Sequence, residues 1–289
     1  MIDWTPVWSL HAQECKMLPT AMLYYTPNPG RAPVLVLADS NGNAAGGTVE
    51  DAILQGFLEL VERDAVALWW YNRTRQPAVD LDSFDDPWVS GLRGRYAGLN
   101  RQLWVLDVTS DLGVPVMAAV SRRADQPAED IMLGFGAHFD PGIALRRALT
   151  ELGQLLPAVA ATRSGGPGYG LSDPHLVSWW TTATVSNQPY LLPDPSQAPR
   201  VAPGYGYAPS EELDLLQARA ITRRAGLDLL VVDQTRPDIG MPVVKVVIPG
   251  LRHFWPRFAP GRLYDVPVRL GRLAEPTAYE DLNPIPVYL

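Results

Sequence analysis

A stripe of acidic and amide side chains runs along an otherwise apolar segment between residues 48 and 71. Asp51, Gln55, Glu59 and Glu62 recur at helical spacing, and at 100° per residue they fall within an arc of roughly 80°. A helix that is apolar on its other faces is expected to be buried together with its carboxylates. Buried carboxylates are tolerated when they are paired, protonated or bound to a cation. The stripe therefore predicts a positive charge facing it.

A second amphipathic segment carries mixed charges on one face. It is predicted to begin with proline at the first helical position, Pro141, and to end before Pro157. Arg147, Glu151 and Gln154 stand at positions i, i+4 and i+7 of this helix, which places them on one side of it. The segment therefore offers both a cation and a further acid.

The acids of the two segments outnumber the arginines beside them, Arg63 and Arg147. This surplus favours hard divalent cations such as Mg²⁺, which take oxygen ligands and commonly bridge to phosphates. An internal network of salt bridges is the alternative interpretation. The single cysteine and the four histidines show no spacing typical of a zinc site or a nucleophilic triad.

Glycine-rich segments precede both predicted helices, with SNGNAAGG at 40–47 and GFGAHFD at 134–140. Glycines before a helix N-terminus let backbone N–H groups approach an anion, so both segments are candidates for such a contact. Neither is a P-loop, because no Gly-Lys-Ser/Thr follows. Each segment alone is a weak signal.

The elements that must position these residues alternate between strands and helices. Apolar or β-branched runs predict strands at Val34–Ala38, Leu103–Val108, Val114–Val120, Ile131–Phe135, Leu227–Val232 and Pro242–Ile248. Helices are expected at Thr48–Tyr71, Pro87–Leu99, Pro141–Leu156 and Glu211–Ala225. This order predicts a mixed α/β domain of the α+β class. A glycine- and proline-rich segment at 164–210 is expected to be a variable surface loop, and the tryptophan pairs at 69–70 and 179–180 are expected in the core.

Several segments, in this order along the chain, resemble the YcaO family: SNGNAAGG, EDAILQGFLELVERDA and GFGAHFDPGIALRRALTELGQ. The segments WTPVWSL, LELVERDAVALWWYNR, LWVLDVTSDLGVPV and GRLYDVPVRLG resemble its azoline-forming cyclodehydratase branch, which makes thiazole- and oxazole-modified peptides. The match covers nearly all of the 289 residues. It implies one YcaO-like catalytic domain over 1–289, with helices packed on a β-sheet core.

The resemblance implies an enzyme that depends on ATP and Mg²⁺. A Cys, Ser or Thr side chain of a ribosomally made precursor peptide would add to the preceding amide, and ATP would phosphorylate the resulting oxyanion. Phosphate would then leave to give an azoline. Two alternatives stay open: backbone thioamidation or amidine formation, and a non-catalytic truncated fragment that binds partners.

Site residues follow from the resemblance by position. ATP would be bound by Ser40, Asn41, Gln55, Arg63, Arg147 and Gln154. Metal ions would be bound by Asp51, Glu59, Glu62 and Glu151. Asp51 and Gly47 stand where the family usually has Glu and Asn. The carboxyl end, with Pro284 and Pro286, resembles the proline-rich tail that cyclodehydratases direct toward their active site.

The resemblance begins in the middle of the usual catalytic domain. An earlier half with its own glycine-rich segment and Glu-rich helix is not recognised, nor is a domain that binds the leader peptide. We therefore expect a fold incomplete at its N-terminus and a partner protein that supplies the missing half or recruits the precursor. Apolar surface left uncovered by such a truncation favours a homodimer.

The amino-acid composition narrows the class of protein to which the chain can belong. With 47% hydrophobic and 19% charged residues, the chain is typical of a globular protein, and its net charge of −7 argues against non-specific nucleic-acid binding. No run approaches the roughly 18 apolar residues that span a bilayer, and the first ten residues lack the basic region of a signal peptide. No membrane partner and a cytoplasmic location are therefore expected.

Overall fold

The computed structural model describes residues 2–25, 38–160, 168–207 and 214–287. The strands are β1 (Trp4–Ser9), β2 (Glu14–Pro19), β3 (Asn43–Ala45), β4 (Arg101–Asp107), β5 (Val116–Arg123), β6 (Met132–Ala137), β7 (Leu230–Asp233) and β8 (Val243–Val247). The helices are α1 (Thr20–Leu23), α2 (Val49–Asn72), α3 (Pro87–Gly98), α4 (Pro141–Ala160), α5 (Pro174–Thr182), α6 (Asp214–Arg224) and α7 (Arg262–Arg269). The predicted mixed α/β fold is confirmed.

The chain divides into two compact units. The first unit comprises Met1–Val61 and Ser210–His253, and the second comprises Glu62–Pro209 and Phe254–Leu289. The division falls inside helix α2. Each unit has its own sheet, with strand order β2-β1-β7-β8-β3 in the first unit and β4-β5-β6 in the second, and all the paired strands are antiparallel.

Most predicted strands are confirmed within a few residues, as β4 to β8. The predicted strand Val34–Ala38 lies outside the described residues except for Ala38. Three short strands, β1 to β3, were not predicted. Prolines explain part of this, because Pro6 pairs with Met17 inside the β1–β2 ladder and Pro19 ends β2, whereas proline in a sequence argues against a strand.

Helix α2 is the central element of the predicted site. Its N-terminus is closed by a reciprocal pair: the Thr48 N–H donates to Asp51 Oδ2 at 3.1 Å, and the Asp51 N–H donates to Thr48 Oγ1 at 3.1 Å. Its apolar side chains, among them Phe57, Trp69 and Trp70, are buried. The helix therefore presents few side chains to solvent beyond its first turn.

Helix α4 packs against strand β6 at backbone-to-backbone distance. A β-carbon at Gly134 would lie 2.2 Å from the Leu152 nitrogen, and one at Gly136 would lie 2.3 Å from the Ala144 oxygen. The sequence offers these glycines as a weak signal of an anion contact, whereas the structure uses them in packing. They lie within β6 and let the helix approach the strand.

Helix α4 also runs through Pro157 and ends at Ala160, so the predicted end before that proline is wrong. Proline removes one N–H from the helical ladder and its ring crowds the carbonyl four residues earlier, so continuing the helix past Pro157 has a cost. Ala158 and Val159 are buried in this last turn, and their burial stabilises it.

The segment predicted as a surface loop at 164–210 is not loop throughout. Helix α5 begins after Asp173, whose carboxylate accepts from the N–H groups of His175 and Leu176. Trp179 and Trp180 on α5 are buried, as are Trp69 and Trp70, so the predicted assignment of these tryptophans to the core is confirmed. Of the helices in the described residues, none is long and apolar enough to cross a bilayer.

Candidate active site

A cavity of about 470 Å³ opens in the second unit. Its walls are formed by residues 62 and 63 of α2, by strand β6 and by helix α4. Its lining consists of Glu62, Arg63, Phe135, Ile143, Arg146, Arg147, Thr150, Glu151 and Gln154. Five residues predicted from two separate helical faces thus line one cavity. Acids and arginines are mixed in its wall, as a site for metal-bound phosphates requires.

Glu151 is fixed by the neighbouring strand. Its Oε2 accepts from the Phe135 backbone N–H at 2.8 Å, and this bond depends on the close approach of α4 to β6 at Gly134. The carboxylate is thereby oriented by a backbone group that cannot rotate away.

Arg147 is the half-buried cation of the cavity. Its Nη1 donates to the Ala137 carbonyl at 3.0 Å. Burial lowers the pKa of Arg147, while the negative charge of Glu62 raises it, and the pKa lies below its ordinary value overall. A guanidinium remains charged at any physiological pH, so Arg147 supplies a fixed positive charge close to Glu62.

Two further arginines line the same wall. The Arg63 guanidinium lies 4.2 Å from the centre of the Phe254 ring, and its Nη1 is 3.8 Å from Glu62 Oε1. Arg146 was not predicted. It donates to both oxygens of Asp86, at 2.7 and 3.0 Å, and these hydrogen bonds lower the pKa of Asp86. Arg146 is therefore oriented by an acid outside the cavity.

The first unit holds a second group of predicted residues. Glu59 Oε2 accepts from the Gly42 N–H at 2.9 Å, and Asn41, itself buried, makes a short hydrogen bond to His253 Nε2. Lys245 Nζ donates to the carbonyl oxygens of Asp39 at 2.7 Å and Asn41 at 3.2 Å. Lys245 and His253 were missed, because nothing in the local sequence of either links it to a loop about 200 residues away.

Asp51 departs from the expectation that the whole acidic stripe is buried. It is exposed, and its carboxylate caps the first turn of α2. It precedes Glu59 by eight residues, or about 12 Å along the helix axis. Two carboxylates that share one Mg²⁺ ligate it at about 2.1 Å each and so lie close together. Asp51 and Glu59 would therefore serve different ions. Gln55, partly buried, lies midway between them.

The chemistry of the donor set fits Mg²⁺ and a nucleotide. Glu62, Glu151 and Gln154 offer hard oxygen donors, and Arg63 and Arg147 offer charges for phosphates. Within the described residues, no three or more His, Cys, Asp or Glu side chains gather closely enough to hold a metal by themselves. Mg²⁺ commonly uses one or two carboxylates together with substrate phosphates, so this arrangement suits it.

The carboxyl-terminal segment docks on the second half of α2. Asn283 is fully buried, and its N–H donates to the Tyr71 carbonyl at 2.8 Å. Trp70 Nε1 donates to the Ile285 carbonyl at 2.6 Å. Among the described residues, neither Pro284 nor Pro286 lines the cavity. Their predicted role in catalysis stays a prediction.

A family model described as "YcaO cyclodehydratase, ATP- and Mg²⁺-binding" matches residues 1–252. The chain belongs to the YcaO family. Binding of ATP and Mg²⁺ is the described property of that family, and the prediction of these two cofactors is confirmed at that level.

Solved structures place the chain beside heterocyclases, the azoline-forming branch of the family. It is 50% identical to a heterocyclase in complex with substrate and cofactor, with a TM-score of 0.92 over 99% of this chain and 38% of that one. It is 49% identical to the heterocyclase TruD, with a TM-score of 0.88 over 100% of this chain and 40% of that one. The YcaO of Methanopyrus kandleri bound with AMPPCP and Mg²⁺, 24% identical with a TM-score of 0.67 over 87% of this chain and 65% of that one, shares the fold.

A curated relative is an uncharacterized protein of Methanothermobacter thermautotrophicus. It is 30% identical over 272 residues, which cover 88% of this chain and 66% of the relative. The chain thus spans about two thirds of the length of this relative and about two fifths of the heterocyclases.

Proposed function

We propose that this chain takes part in ATP- and Mg²⁺-dependent cyclodehydration of Cys, Ser or Thr residues in a ribosomally made precursor peptide. The observation that carries the proposal is the likeness to a heterocyclase at 50% identity over 99% of the chain, with a TM-score of 0.92. The cavity with its mixed acids and arginines supports it. The product is an azoline ring for each residue that reacts.

The reaction balances without a protein nucleophile. The thiol or hydroxyl of the substrate adds to the carbon of the preceding amide, and its proton leaves to solvent. The amide oxygen takes the γ-phosphoryl group of ATP, giving ADP. Loss of this oxygen as phosphate, together with the amide proton, forms the C=N bond of the ring. Each ring therefore consumes one ATP and removes the elements of one water from the peptide.

The residues of the cavity then have electrostatic and positioning roles. Glu62 and Glu151 would hold Mg²⁺, which supplies Lewis-acid neutralisation of phosphate charge. By their positions in the family, Asp51 and Glu59 would also be metal ligands, and Ser40, Asn41, Gln55 and Gln154 would bind ATP. Arg147 and Arg63 would bind the phosphates, because a guanidinium matches phosphate oxygens in paired hydrogen bonds. Phosphoryl transfer demands positioning and charge stabilisation above all, which such a set of side chains provides.

Reconstitution tests the proposal. The chain, a candidate precursor peptide, ATP and Mg²⁺ are combined with and without a protein that binds the leader peptide, and phosphate release and peptide mass are followed. We expect one phosphate and the loss of one water for each ring. The double variant Glu59→Gln with Glu62→Gln should abolish turnover, whereas Glu50→Gln, on the exposed first turn of the same helix, should not.

Other outcomes decide between the alternatives. Exchange of a peptide oxygen for sulfur would indicate thioamidation, and exchange for nitrogen would indicate an amidine. Absence of Mg²⁺-dependent nucleotide binding, with and without the partner, would identify a non-catalytic fragment. Unchanged turnover in the double variant would contradict the site assignment itself.

A further inference from the structure

Lys245 is a buried cation in strand β8 of the first unit. Only 4% of its surface is exposed, and it is one of two lysines in a chain with 24 basic residues. Removing an ammonium group from water is unfavourable unless charges and hydrogen bonds replace the water. The contacts that replace it therefore indicate what this lysine holds in place.

The side-chain hydrogen bonds of Lys245 go to the loop at residues 39–42, which precedes β3. Its Nζ donates to the carbonyl oxygens of Asp39 and Asn41, at 2.7 and 3.2 Å, and lies 3.7 Å from Asp39 Oδ1. Burial lowers the pKa of Lys245, and the charges of Asp39 and Glu59 raise it, so Glu59 lies within electrostatic reach. A single ammonium thus serves two backbone carbonyls and lies close to one carboxylate, that of Asp39.

Glu59 holds the same loop by accepting a hydrogen bond from one backbone N–H of the loop. Its Oε2 accepts from the Gly42 N–H at 2.9 Å, while the Gly42 carbonyl accepts from the Val246 N–H at 2.7 Å. Gly42 has a φ of +80°, and a β-carbon there would lie 2.2 Å from the Val246 oxygen. The loop is therefore fixed by Lys245 at its carbonyls, by Glu59 at an N–H and by β8 at its backbone.

We propose that Lys245 is a positioning residue of the nucleotide site, which fixes the backbone of Asp39 and Asn41. Ser40 and Asn41 are thereby held in one conformation before any nucleotide arrives. The inference rests on the proposed function, which assigns Ser40, Asn41 and Glu59 to the ATP and Mg²⁺ shell. An ammonium suits this position because it is a compact donor of three hydrogen bonds, whereas arginine presents a wider planar fork.

Direct binding tests the inference without turnover. The affinity of a non-hydrolysable ATP analogue in the presence of Mg²⁺ is measured by calorimetry for the wild-type chain and for Lys245→Met. Loss of a group that orients a metal or ligand shell commonly weakens binding by about 10- to 100-fold, and we expect a loss in this range. Lys245→Arg keeps the charge, so its affinity for the nucleotide analogue should lie between those of the wild type and Lys245→Met. Far-UV circular dichroism and thermal unfolding report the fold of each variant.

Lys16→Met is the matched control. Lys16 also pairs with an aspartate of the first unit, Asp228, at 2.7 Å, but its side chain is 42% exposed and does not contact the loop. Its loss should leave nucleotide affinity unchanged. If Lys245→Met lowers only the unfolding temperature and the folded variant binds like the wild type, the role of Lys245 is structural and the inference is wrong.

Glu59→Gln separates this inference from the proposed function. Weak binding by Glu59→Gln together with normal binding by Lys245→Met overturns the inference and leaves the site assignment intact. Normal binding by Glu59→Gln, or no binding by the wild-type chain with and without a partner that binds the leader peptide, overturns the site assignment and the inference with it. If Lys245→Met does not fold, Lys245→Arg decides: weakened binding supports positioning, and wild-type binding contradicts it.

Discussion

Glu151 shows how a single residue of the cavity is prepared for its role. The Phe135 N–H fixes one carboxylate oxygen at 2.8 Å, so the side chain is oriented before a ligand binds. Glutamine at this position keeps an oxygen that can accept the same hydrogen bond but removes the charge. Charge and orientation can therefore be tested separately.

We expect Glu151→Gln to fold normally and to require at least about tenfold more Mg²⁺ for nucleotide binding, because a neutral amide is a weaker ligand for a hard cation. The measurement is a Mg²⁺ titration of nucleotide-dependent thermal stabilisation. Thr150→Ala, at an adjacent residue of the same cavity, serves as the control and should titrate like the wild type. An unchanged titration of Glu151→Gln would exclude this carboxylate from the metal shell.

Arg262 is the buried centre of a charge network in the second unit. It donates to both oxygens of Asp64, at 2.9 and 2.6 Å, and to both of Asp111, at 3.2 and 2.7 Å. Asp64 is fully buried and follows the cavity residue Arg63 on α2. The network therefore ties α7 to the helix that carries the site.

Removing Arg262 should leave a buried carboxylate without its cation. We expect Arg262→Met to lower the free energy of unfolding by about 3–5 kcal/mol, measured by urea titration. Arg269→Met removes the exposed end of the same network, where Arg269 contacts Asp111 at 2.5 Å with a side chain that is 59% exposed. Its cost should stay below about 1 kcal/mol. Equal losses in the two variants would contradict the buried role of Arg262.

The same network predicts a response to acid. Burial raises the pKa of Asp111, but the hydrogen bonds and charges of Arg262 and Arg269 outweigh it, so its pKa lies below the ordinary value. The ionised form is therefore favoured in the folded state. This contribution is fully present above the unfolded pKa of about 3.9 and is lost as pH falls through the lower folded pKa.

We expect the wild type to lose more stability than Asp111→Asn when pH falls below about 4. Unfolding free energies from urea titrations of both proteins at neutral and acid pH check this. Parallel curves for the two proteins would show that Asp111 does not contribute to the acid dependence.

At the scale of elements, the contact between β6 and α4 determines where most of the cavity wall lies. Two glycines of the strand allow the approach, and Glu151 and Arg147 on the helix then reach backbone groups of β6. The pair thus works as one structural element. A side chain inserted between strand and helix should disturb stability and the site together.

We expect Gly134→Ala to destabilise the protein by about 1–3 kcal/mol, because its β-carbon would overlap the Leu152 nitrogen at 2.2 Å. Nucleotide binding by the folded fraction should also weaken, since the Glu151 bond to Phe135 depends on this contact. Gly153→Ala on α4 meets no atom within 4 Å and should stabilise the helix by about 0.5–1 kcal/mol. Chemical denaturation measures both, and a neutral Gly134→Ala would argue against close packing here.

At the scale of the whole molecule, the predicted shell residues are divided between the two units. Ser40, Asn41, Asp51, Gln55 and Glu59 belong to the first unit, and Glu62, Arg63, Arg147, Glu151 and Gln154 belong to the second. A nucleotide stabilises the unit whose side chains bind it, so its binding should be visible in thermal unfolding of the chain.

We expect ATP with Mg²⁺, at about 100 times its dissociation constant, to add about 2.7 kcal/mol and to raise the unfolding temperature by about 5 °C. Chelation of Mg²⁺ by EDTA should reverse the shift. Differential scanning calorimetry of the chain alone, and with a partner that binds the leader peptide, provides the measurement. A shift that persists in EDTA would contradict a Mg²⁺-dependent site.

The sequence by itself determined the helical faces that carry Glu62, Arg147 and Glu151, because helical periodicity is a local property that follows from 3.6 residues per turn. It also determined the family, through ordered motifs. Only the tertiary structure decided that Asp51 caps a helix, that Gly134 and Gly136 serve packing, and that Lys245 holds a loop 204 residues earlier in the chain. These outcomes depend on which backbones approach one another, and contacts between distant segments arise from packing that no local pattern encodes.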